Sequence, residues 1–474
     1  MADVTYQHED YAQFAERAQV VDDVCGNLVK KKGDKYLPRP NPTDKSAENK
    51  ARFTQYLSRA VFHNFTGYTL RGLVGAAFTK TPQLIAPTAI EYISEDIDGA
   101  GNSIFQQSRS VVGKVTKKGR NGLLVDYPQT GGSATRAEMA QRHIRATTVS
   151  IDASRIINWK TKQVGGKHGL SLVVYKDDVK EETLDGFGVD TIEQYRALRL
   201  IDGVYTVELW RKKDKKKDEW ILHDSFTPTR GNGSPWNIIP FIFVGSENND
   251  PGVDMAPLYD LAELNIGHYR NSADYEDNVF FCGQAQPWAS GIDQAHMDMI
   301  NEAGLVIGSR TLFPVPDGGQ FGFAQAQPNT QVREAMQDKK ADMASMGARI
   351  LTPGGAVKTA TEAQADNETE HSVLSLIVSN VSEAYTQCLQ WMLEFMNASG
   401  EARYTINQEF TKPHMDAQKL TALVGALQTG YFPDSDFWAE MKRHGLIDPK
   451  KDDETIREEL DSQTTGLGLD DGAE

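Results

Sequence analysis

The chain has 474 residues, with 50 Lys plus Arg against 66 Asp plus Glu, a formal charge of -16. Hydrophobic residues make up 39% and aromatics 9%, enough for real cores, and the length suits about three domains or one large irregular one. The acidic balance argues against a tight grip on nucleic acid through phosphate contacts and against an anionic membrane surface, but it leaves passive contact with DNA open.

From the N-terminus, Tyr11, Phe14, Ala18, Val21, Cys25 and Leu28 recur at spacings of three and four and predict one helix. Lys30 to Lys32 suit its C-terminus, and Gly33 should end it. Tyr36-Leu37-Pro38-Arg39-Pro40 should be extended. A second helical stretch is expected over residues 46–78, interrupted at Gly67, Gly72 and Gly75, and a shorter one over 104–118.

Between residues 119 and 245 the hydrophobic period changes to two. Residues 123–127, 171–175 and 238–244 read as strands. Asp202-Gly203 predicts a hairpin joining 195–201 to 204–210. A second hairpin should join 204–211 to 219–226. Its tip, Arg211-Lys212-Lys213-Asp214-Lys215-Lys216-Lys217, holds six bases in seven residues. That tip reads either as a solvated end guarding a sheet edge or as a surface for an acidic partner or for DNA in passing.

A long helix is expected from Pro257 to about Phe281. Leu261, Leu264, His268, Ser272, Tyr275 and Val279 form a mixed apolar stripe. Asp260, Glu263, Gly267, Arg270, Asp274 and Asp277 form a charged stripe about 100° away. Residues 283–329 read as short strands and loops, and 331–349 as a helix carrying Met336, Met343 and Met346. Residues 351–358 form a loop, and Thr359-Ala360-Thr361-Glu362 fits a capping box. The helix it opens should run to about Asn397 along the clearest apolar stripe in the chain: Leu374, Ile377, Val381, Ala384, Cys388, Trp391 and Phe395. Two short helices follow, at 416–428 and 435–444. The last 27 residues hold ten acids and three bases, and 464–474 are expected to be disordered.

The chemistry that would announce an enzyme is missing from the sequence. There is no phosphate loop, no G-x-S-x-G elbow and no H-E-x-x-H motif. Cys25, Cys282 and Cys388 are too few and too dispersed for a disulfide framework or a zinc site, and read as packing thiols in a reducing compartment. Asp274 and Asp277 could hold a divalent cation or simply form a solvated face. The loop from Pro353 to Lys358 could cradle a phosphate, or its glycines could supply flexibility. The polar, acidic N-terminus predicts no secretory signal peptide. The longest apolar runs, such as 238–245, fall far short of the roughly 20 residues of a membrane span. No catalytic residue, metal or cofactor is expected.

Several blocks together resemble the tailed-bacteriophage portal, or head-to-tail connector, family. They are Tyr36-Leu37-Pro38-Arg39-Pro40; Arg59-Ala60-Val61-Phe62-His63-Asn64-Phe65-Thr66 with Gly72-Leu73-Val74-Gly75; Gly119-Arg120-Asn121-Gly122-Leu123-Leu124-Val125-Asp126-Tyr127-Pro128; and Ile239-Pro240-Phe241. Pro257-Leu258-Tyr259-Asp260-Leu261-Ala262-Glu263-Leu264-Asn265-Ile266 and the residues after it, to Asp274, belong with them. So do Lys358-Thr359-Ala360-Thr361-Glu362 and the glycines Gly430 and Gly445, which bracket a short helix before an acidic end. Tyr431-Phe432-Pro433 departs from the Ser or Thr helix cap that often follows the first of those glycines in the family. The resemblance spans nearly the whole chain, and its specificity lies in the order of the blocks.

It implies an α+β portal fold. Residues 1–102 would be an N-terminal helical wing region, 103–119 the first stem helix, 120–254 a β-rich clip and wing region, and 255–282 the second stem helix. Residues 283–349 would be wing, 350–358 a tunnel loop, and 359–474 the long helix, crown and acidic tail. The implied protein is a virion component, present in host cytoplasm during assembly. It would be a non-enzymatic, homo-oligomeric ring of twelve subunits at one capsid vertex, channelling double-stranded DNA. Its partners would be the major capsid protein, the terminase large subunit and head-completion or tail-adaptor proteins, with no membrane. Another ring-forming collar or adaptor protein is the alternative. On this resemblance Asp260, Glu263, Arg270, Asp274 and Asp277 would line the channel. Pro353, Gly354, Gly355 and Lys358 would lie in the tunnel loop, and Arg211, Lys212, Lys213, Lys215, Lys216 and Lys217 would face a partner.

Overall fold

The computed structural model describes residues 3–128, 144–164, 167–183, 185–214, 217–284, 286–303, 315–325, 330–351, 372–408, 410, 423–425, 427, 433–443, 447–448 and 451–465. The chain divides into two units, Met1–Gln408 and Glu409–Glu474. Helices and strands mix throughout the first, an α+β arrangement.

The first unit opens with α1 (Tyr11–Cys25), α2 (Ala47–Arg59) and α3 (Phe65–Ala77). The lysines expected to finish α1 do something else. The helix stops at Cys25, Gly26 caps it, and Asn27 turns the chain at φ 58°. Lys30 Nζ then donates to the carbonyls of Ser58 and Ala60, each at 2.9 Å. It therefore serves the C-terminal end of α2, where unpaired carbonyls favour a cation. The break between α2 and α3 also differs from the expected one. It falls at Ala60–Asn64, and Gly67, Gly72 and Gly75 all lie inside α3. Asn64 caps α3 by accepting from Gly67 N at 2.8 Å, and a Cβ on Gly67 would meet that side chain at 2.6 Å. This glycine admits the cap; it does not break the helix.

After the short β1 (Gln83–Ile85) comes α4 (Ile104–Lys118), as the periodicity predicts, opened by a Ser103–Gln106 capping box. Its last turn runs into β2 (Arg120–Asp126) through Gly119, at φ 79°. Strands β2, β3 (Thr147–Asp152) and β11 (Phe241–Gly245) form an antiparallel sheet in the order β11-β2-β3.

Between β3 and β11 lies a second sheet. It comprises β4 (Ile156–Val164), β5 (Lys167–Lys176), β8 (Gln194–Ile201), β9 (Val204–Asp214) and β10 (Lys217–Phe226), in the order β10-β9-β8-β5-β4. A separate hairpin, β6 (Val179–Glu182) with β7 (Val189–Ile192), interrupts it between β5 and β8. Both expected hairpins are present. Asp202 and Gly203, at φ 50° and 80°, make the turn in which Ile201 pairs with Val204. Two consecutive positive φ values are what a type I′ hairpin turn requires.

Helix α5 (Tyr259–Cys282) follows, 24 residues and about 36 Å long. Residues 283–329, expected to be strands and loops only, contain the hairpin β12 (Gln286–Ser290) with β13 (Gln320–Ala324) and also a helix, α6 (Gln294–Ala303). That helix lacks an apolar stripe long enough to announce itself. Helix α7 (Gln331–Leu351) packs along α5.

Helix α8 (Val373–Phe395) begins at Ser372, whose backbone is extended at ψ 152° and whose hydroxyl accepts from Ser375 N. The described helix therefore starts after Ser372 and not at Thr359, and residues 359–371 lie outside the described residues. The proposed tunnel-loop residues Pro353, Gly354, Gly355 and Lys358 and the capping box lie outside the described residues. Leu374, Ile377, Val378, Val381, Ala384, Tyr385, Cys388, Leu389 and Met392 all have 0% exposure, while Val373, Leu376, Ser379, Glu383, Gln390 and Glu394 form one exposed strip, so α8 is buried over most of its circumference. It packs against α3, α4, α7, β2, β11 and β14 (Arg403–Thr405), which makes it the axis of the core. At about 1.5–3 kcal/mol per large apolar side chain removed from water, no other element contributes as much.

Its polar atoms are matched as well. Tyr385 donates to Gln107 Oε1 at 2.9 Å, and Gln107 donates onward to the Thr148 carbonyl at 2.7 Å. The Ser382 and Thr386 hydroxyls accept from the backbone of Ile406 and Tyr404. A three-stranded wall, an antiparallel edge and two helices are thus tied to one buried rod.

The second unit contains α9 (Asp434–Arg443) and α10 (Asp453–Thr465), joined by a Lys442–Asp453 ion pair of 2.6 Å. Helix α9 matches the expected second tail helix. Most of the expected 416–428 helix and all of 466–474 lie outside the described residues.

Gly119 supplies a direct check on this architecture. A Cβ there would meet the Met255 carbonyl oxygen at 2.7 Å and that of Asp254 at 2.8 Å, at a φ that L side chains rarely adopt. Gly119→Ala should lower stability by about 2 kcal/mol or more, read as a leftward shift of the urea unfolding midpoint followed by tryptophan fluorescence.

Candidate functional site

Helix α5 carries the charged stripe singled out in the sequence, and the structure divides it. Asp260 and Glu263, in its first two turns, are exposed. Arg270 donates from Nε to the Tyr36 carbonyl at 2.9 Å. Asp274 remains exposed but accepts from the Tyr56 hydroxyl. Asp277 is gripped by α2, with Arg52 Nη1 at 2.9 Å and Arg59 Nη1 at 3.1 Å. Those guanidiniums also lie over the rings of Phe281 and Phe280, at 5.0 and 3.6 Å. Charge assistance and ring contact reinforce each other in this arrangement. The Asp277 pair holds Arg52 above the usual arginine range.

This division has a geometric cause. Helix α5 is long, but α2 reaches only part of it. Where α2 lies alongside, acids become structural. Nearer the N-terminus they stay in water.

Arg270 opens a second chain of contacts. Its acceptor Tyr36 donates through its hydroxyl to Asp23 Oδ2 at 2.6 Å, and Gln19 and Lys35 reach the same carboxylate at 2.8 and 3.1 Å. The Asp23 side chain has no exposed surface. Burial works against its charge, yet the donors Tyr36, Lys35 and Gln19 win and hold its pKa below the ordinary 3.8. Burial, aided by the Asp23 acceptor, pushes Tyr36 up to about 12. Sequence reading placed Tyr36 in an extended block but gave no role to Asp23. No sequence signal marks it, since it falls two residues from both Val21 and Cys25, roughly opposite the apolar stripe of α1.

Arg120 is the other group that sequence reading missed. It is 3% exposed, lies 3.5 Å from the Phe243 ring centroid and 4.3 Å from that of Trp159, and donates to the Pro251 carbonyl at 2.7 Å. Burial pushes it down to about 9, although Asp254, Asp250 and Asp10 oppose the shift. It pins the loop before α5 onto the β2–β11 sheet.

At the basic hairpin, Arg211 donates to Gln194 Oε1 at 2.7 Å, Lys212 pairs with Glu193 at 2.5 Å, and Lys213 pairs with Glu219 at 3.2 Å. Three of the six bases are therefore engaged by their own chain. Lys215 and Lys216 lie outside the described residues. Lys217 sits on the backbone of β10, opposite Asp214. Among the described residues, no group of three or more His, Cys, Asp or Glu could hold a metal ion. Among them, too, no helix is long and apolar enough to cross a membrane.

Residues 257–396 match a family described as a domain of unknown function, DUF4055. The match begins just before α5 and ends at the cap of α8, so it takes in both long helices and the α7 that joins them in the fold. A Bacillus subtilis (strain 168) protein, transcriptional activator protein med, is 26% identical over 247 residues, which is 45% of this chain and 73% of that protein. Among solved structures, the neck of a native GTA particle computed with C12 symmetry has a TM-score of 0.40 at 14% identity, over 82% of this chain and 93% of that one. The neck of an empty GTA particle computed with C6 symmetry has a TM-score of 0.38 at 13% identity, over 89% and 98%. At such scores neither likeness establishes a shared fold.

The Asp23 cluster yields a pH dependence with a definite sign. Folding lowers this carboxyl pKa, so its stabilisation is complete above the ordinary value of 3.8 and is lost as pH falls through the lower folded value. Thermal unfolding between pH 6 and pH 2 should show Asp23→Asn less stable than the wild type at pH 6. The gap should narrow as the medium is acidified below 3.8.

Proposed function

We propose that this chain is a portal subunit. Copies of it assemble into a ring at one capsid vertex, through which double-stranded viral DNA enters and leaves and on which terminase and tail adaptors dock. The ordered sequence blocks support this reading, and one structural observation carries it. From Asp274 to Gln325, among the described residues, none is buried. That stretch nevertheless contains the end of α5, a hairpin and a helix. It also leaves Val279, Phe281, Trp288, Met297 and Phe323 between 43% and 53% exposed. Gln325 donates to the Cys282 carbonyl at 2.7 Å, so the hairpin is anchored to the helix end although none of the described residues around it is buried. Secondary structure with this much apolar surface and no interior of its own finds its interior in neighbouring copies.

The chemistry proposed is passive. Asp260 and Glu263, exposed on α5, form an acidic wall that repels the duplex and prevents it from sticking, since neutralised phosphates would slow a sliding strand. Arg270, Asp274 and Asp277 belong to the same stripe but serve to hold α5 against its own chain. No residue is assigned a catalytic role, and packaging energy comes from a separate terminase.

Two measurements test this. Purified protein, sized and imaged by negative stain, should give channelled rings of about 630 kDa for twelve copies of 52.5 kDa; a uniform 52.5 kDa monomer under all conditions would sink the proposal. Asp260→Asn combined with Glu263→Gln should leave ring mass unchanged and slow DNA packaging or ejection in a phage assay. Unaltered rates would remove the acidic wall.

A further inference from the structure

The five-stranded sheet sends two hairpins out of one end. Tyr175 and Lys176 of β5 pair with Arg196 and Tyr195 of β8, and Gln194 of β8 pairs with Arg211 of β9. The C-terminal end of β5, the N-terminal end of β8 and the far end of the β9–β10 hairpin therefore lie side by side. The β6–β7 hairpin leaves from there, next to the basic tip.

The two are opposite in charge. Residues 177–193 hold seven acids and one base, and residues 211–217 hold six bases and one acid. At their bases they are already joined within the chain, through Lys212–Glu193 and Arg211–Gln194. Asp177 and Asp178 are likewise paired with Arg196 and Arg155.

Away from the base, the acidic hairpin touches little. No described residue from Lys176 to Glu193 is buried, and Phe187 at its tip is 98% exposed. The tip is nonetheless well built. Asp185 accepts from the Thr183 hydroxyl and from Phe187 N, the Thr183 hydroxyl accepts from Gly188 N at 2.8 Å, and Gly186 turns at φ 72°. These hydrogen bonds hold the described residues of a turn that presents one large aromatic ring to solvent. Ordering such a tip in the free chain lowers the entropic cost of docking it. On the basic side, β10 is an edge strand, and its Ile221 and Leu222 are 41% and 49% exposed.

We infer that the acidic β6–β7 hairpin of one copy docks on the basic β9–β10 hairpin of the next, with Phe187 as the anchor seated against Leu222, which shares one face of the edge strand with Trp220 while Ile221 points to the other. The two surfaces are different parts of the same molecule, so the contact is heterologous and propagates around a ring. Charge complementarity selects the register and orientation, and Phe187 provides the buried apolar centre. The inference rests on the ring reading above and adds the contact that closes the ring at this end of the sheet.

The test uses the full chain. Phe187→Ala, and separately the pair Glu181→Lys with Glu182→Lys, should raise the protein concentration needed for half-assembly by on the order of tenfold, measured by light scattering after sizing. Adding Lys213→Glu and Lys217→Glu to the Glu181→Lys, Glu182→Lys chain should restore assembly, which loss of folding would not allow. A photo-crosslinker at position 187 should capture the β9–β10 hairpin of another copy. Rings that form at wild-type concentration in every variant, or a crosslink to a different protein or a different surface, would overturn this contact and leave the ring standing. A wild-type chain that never assembles would remove the ring reading first, and this contact with it.

Discussion

The constraint on which the rest depends is that α8 carries a wide apolar face that has to be kept from water. Only one strip, Glu383, Gln390 and Glu394 on it, meets solvent; the rest has to be enclosed, and the enclosing elements come from most of the length of the first unit. Helices α3, α4 and α7, the β2–β11 wall and β14 meet on it. Polar side chains on its buried face are matched by donors or acceptors on those same elements, as Tyr385 is by Gln107 and Ser382 by Ile406. Burying a rod of this kind fixes distant segments relative to one another. It explains how residues near 107, 148, 245 and 404 come to lie together.

A different rule governs the long helix α5. One end is clasped by α2 through Asp277, Arg52 and Arg59, and the middle is held through Arg270 to Tyr36 and onward to Asp23. These contacts place charge inside the protein only where guanidinium, ammonium and hydroxyl donors meet it, the condition under which buried ions are tolerable. Beyond the clasp, the chain continues into strands and a helix with no buried residue among those described, up to Gln325. The first unit thus pairs a well-enclosed core around α8 with a stretch in which no described residue is buried.

Much of the local structure was legible before any coordinates. The 104–118 helix, the Asp202-Gly203 hairpin and α5 follow from period and turn chemistry, because each is decided by residues close in sequence. The errors have a common origin. Lys30 looked like the cap of the helix that precedes it and serves the end of α2 instead. Gly67 looked like a breaker and makes room for the Asn64 cap. Asp274 and Asp277 looked like equals of Asp260, but α2 lies against them. In each case the residue's role depends on a neighbour that sequence order does not supply.

By itself, the sequence determined many of the helices and strands of the first unit, that the Leu374–Phe395 helix carries the clearest apolar stripe, and that an acidic chain places its densest run of positive charge on a single hairpin. Periodicity, turn residues and charge are local properties, and they survive without knowledge of packing. Tertiary structure alone decided which acids on α5 are structural and which face water. It also showed that Arg120 is held between two aromatic rings, and that the acidic and basic hairpins leave the same end of one sheet. Those outcomes depend on strand register and on which helices lie alongside one another, and both are settled by long-range packing around α8.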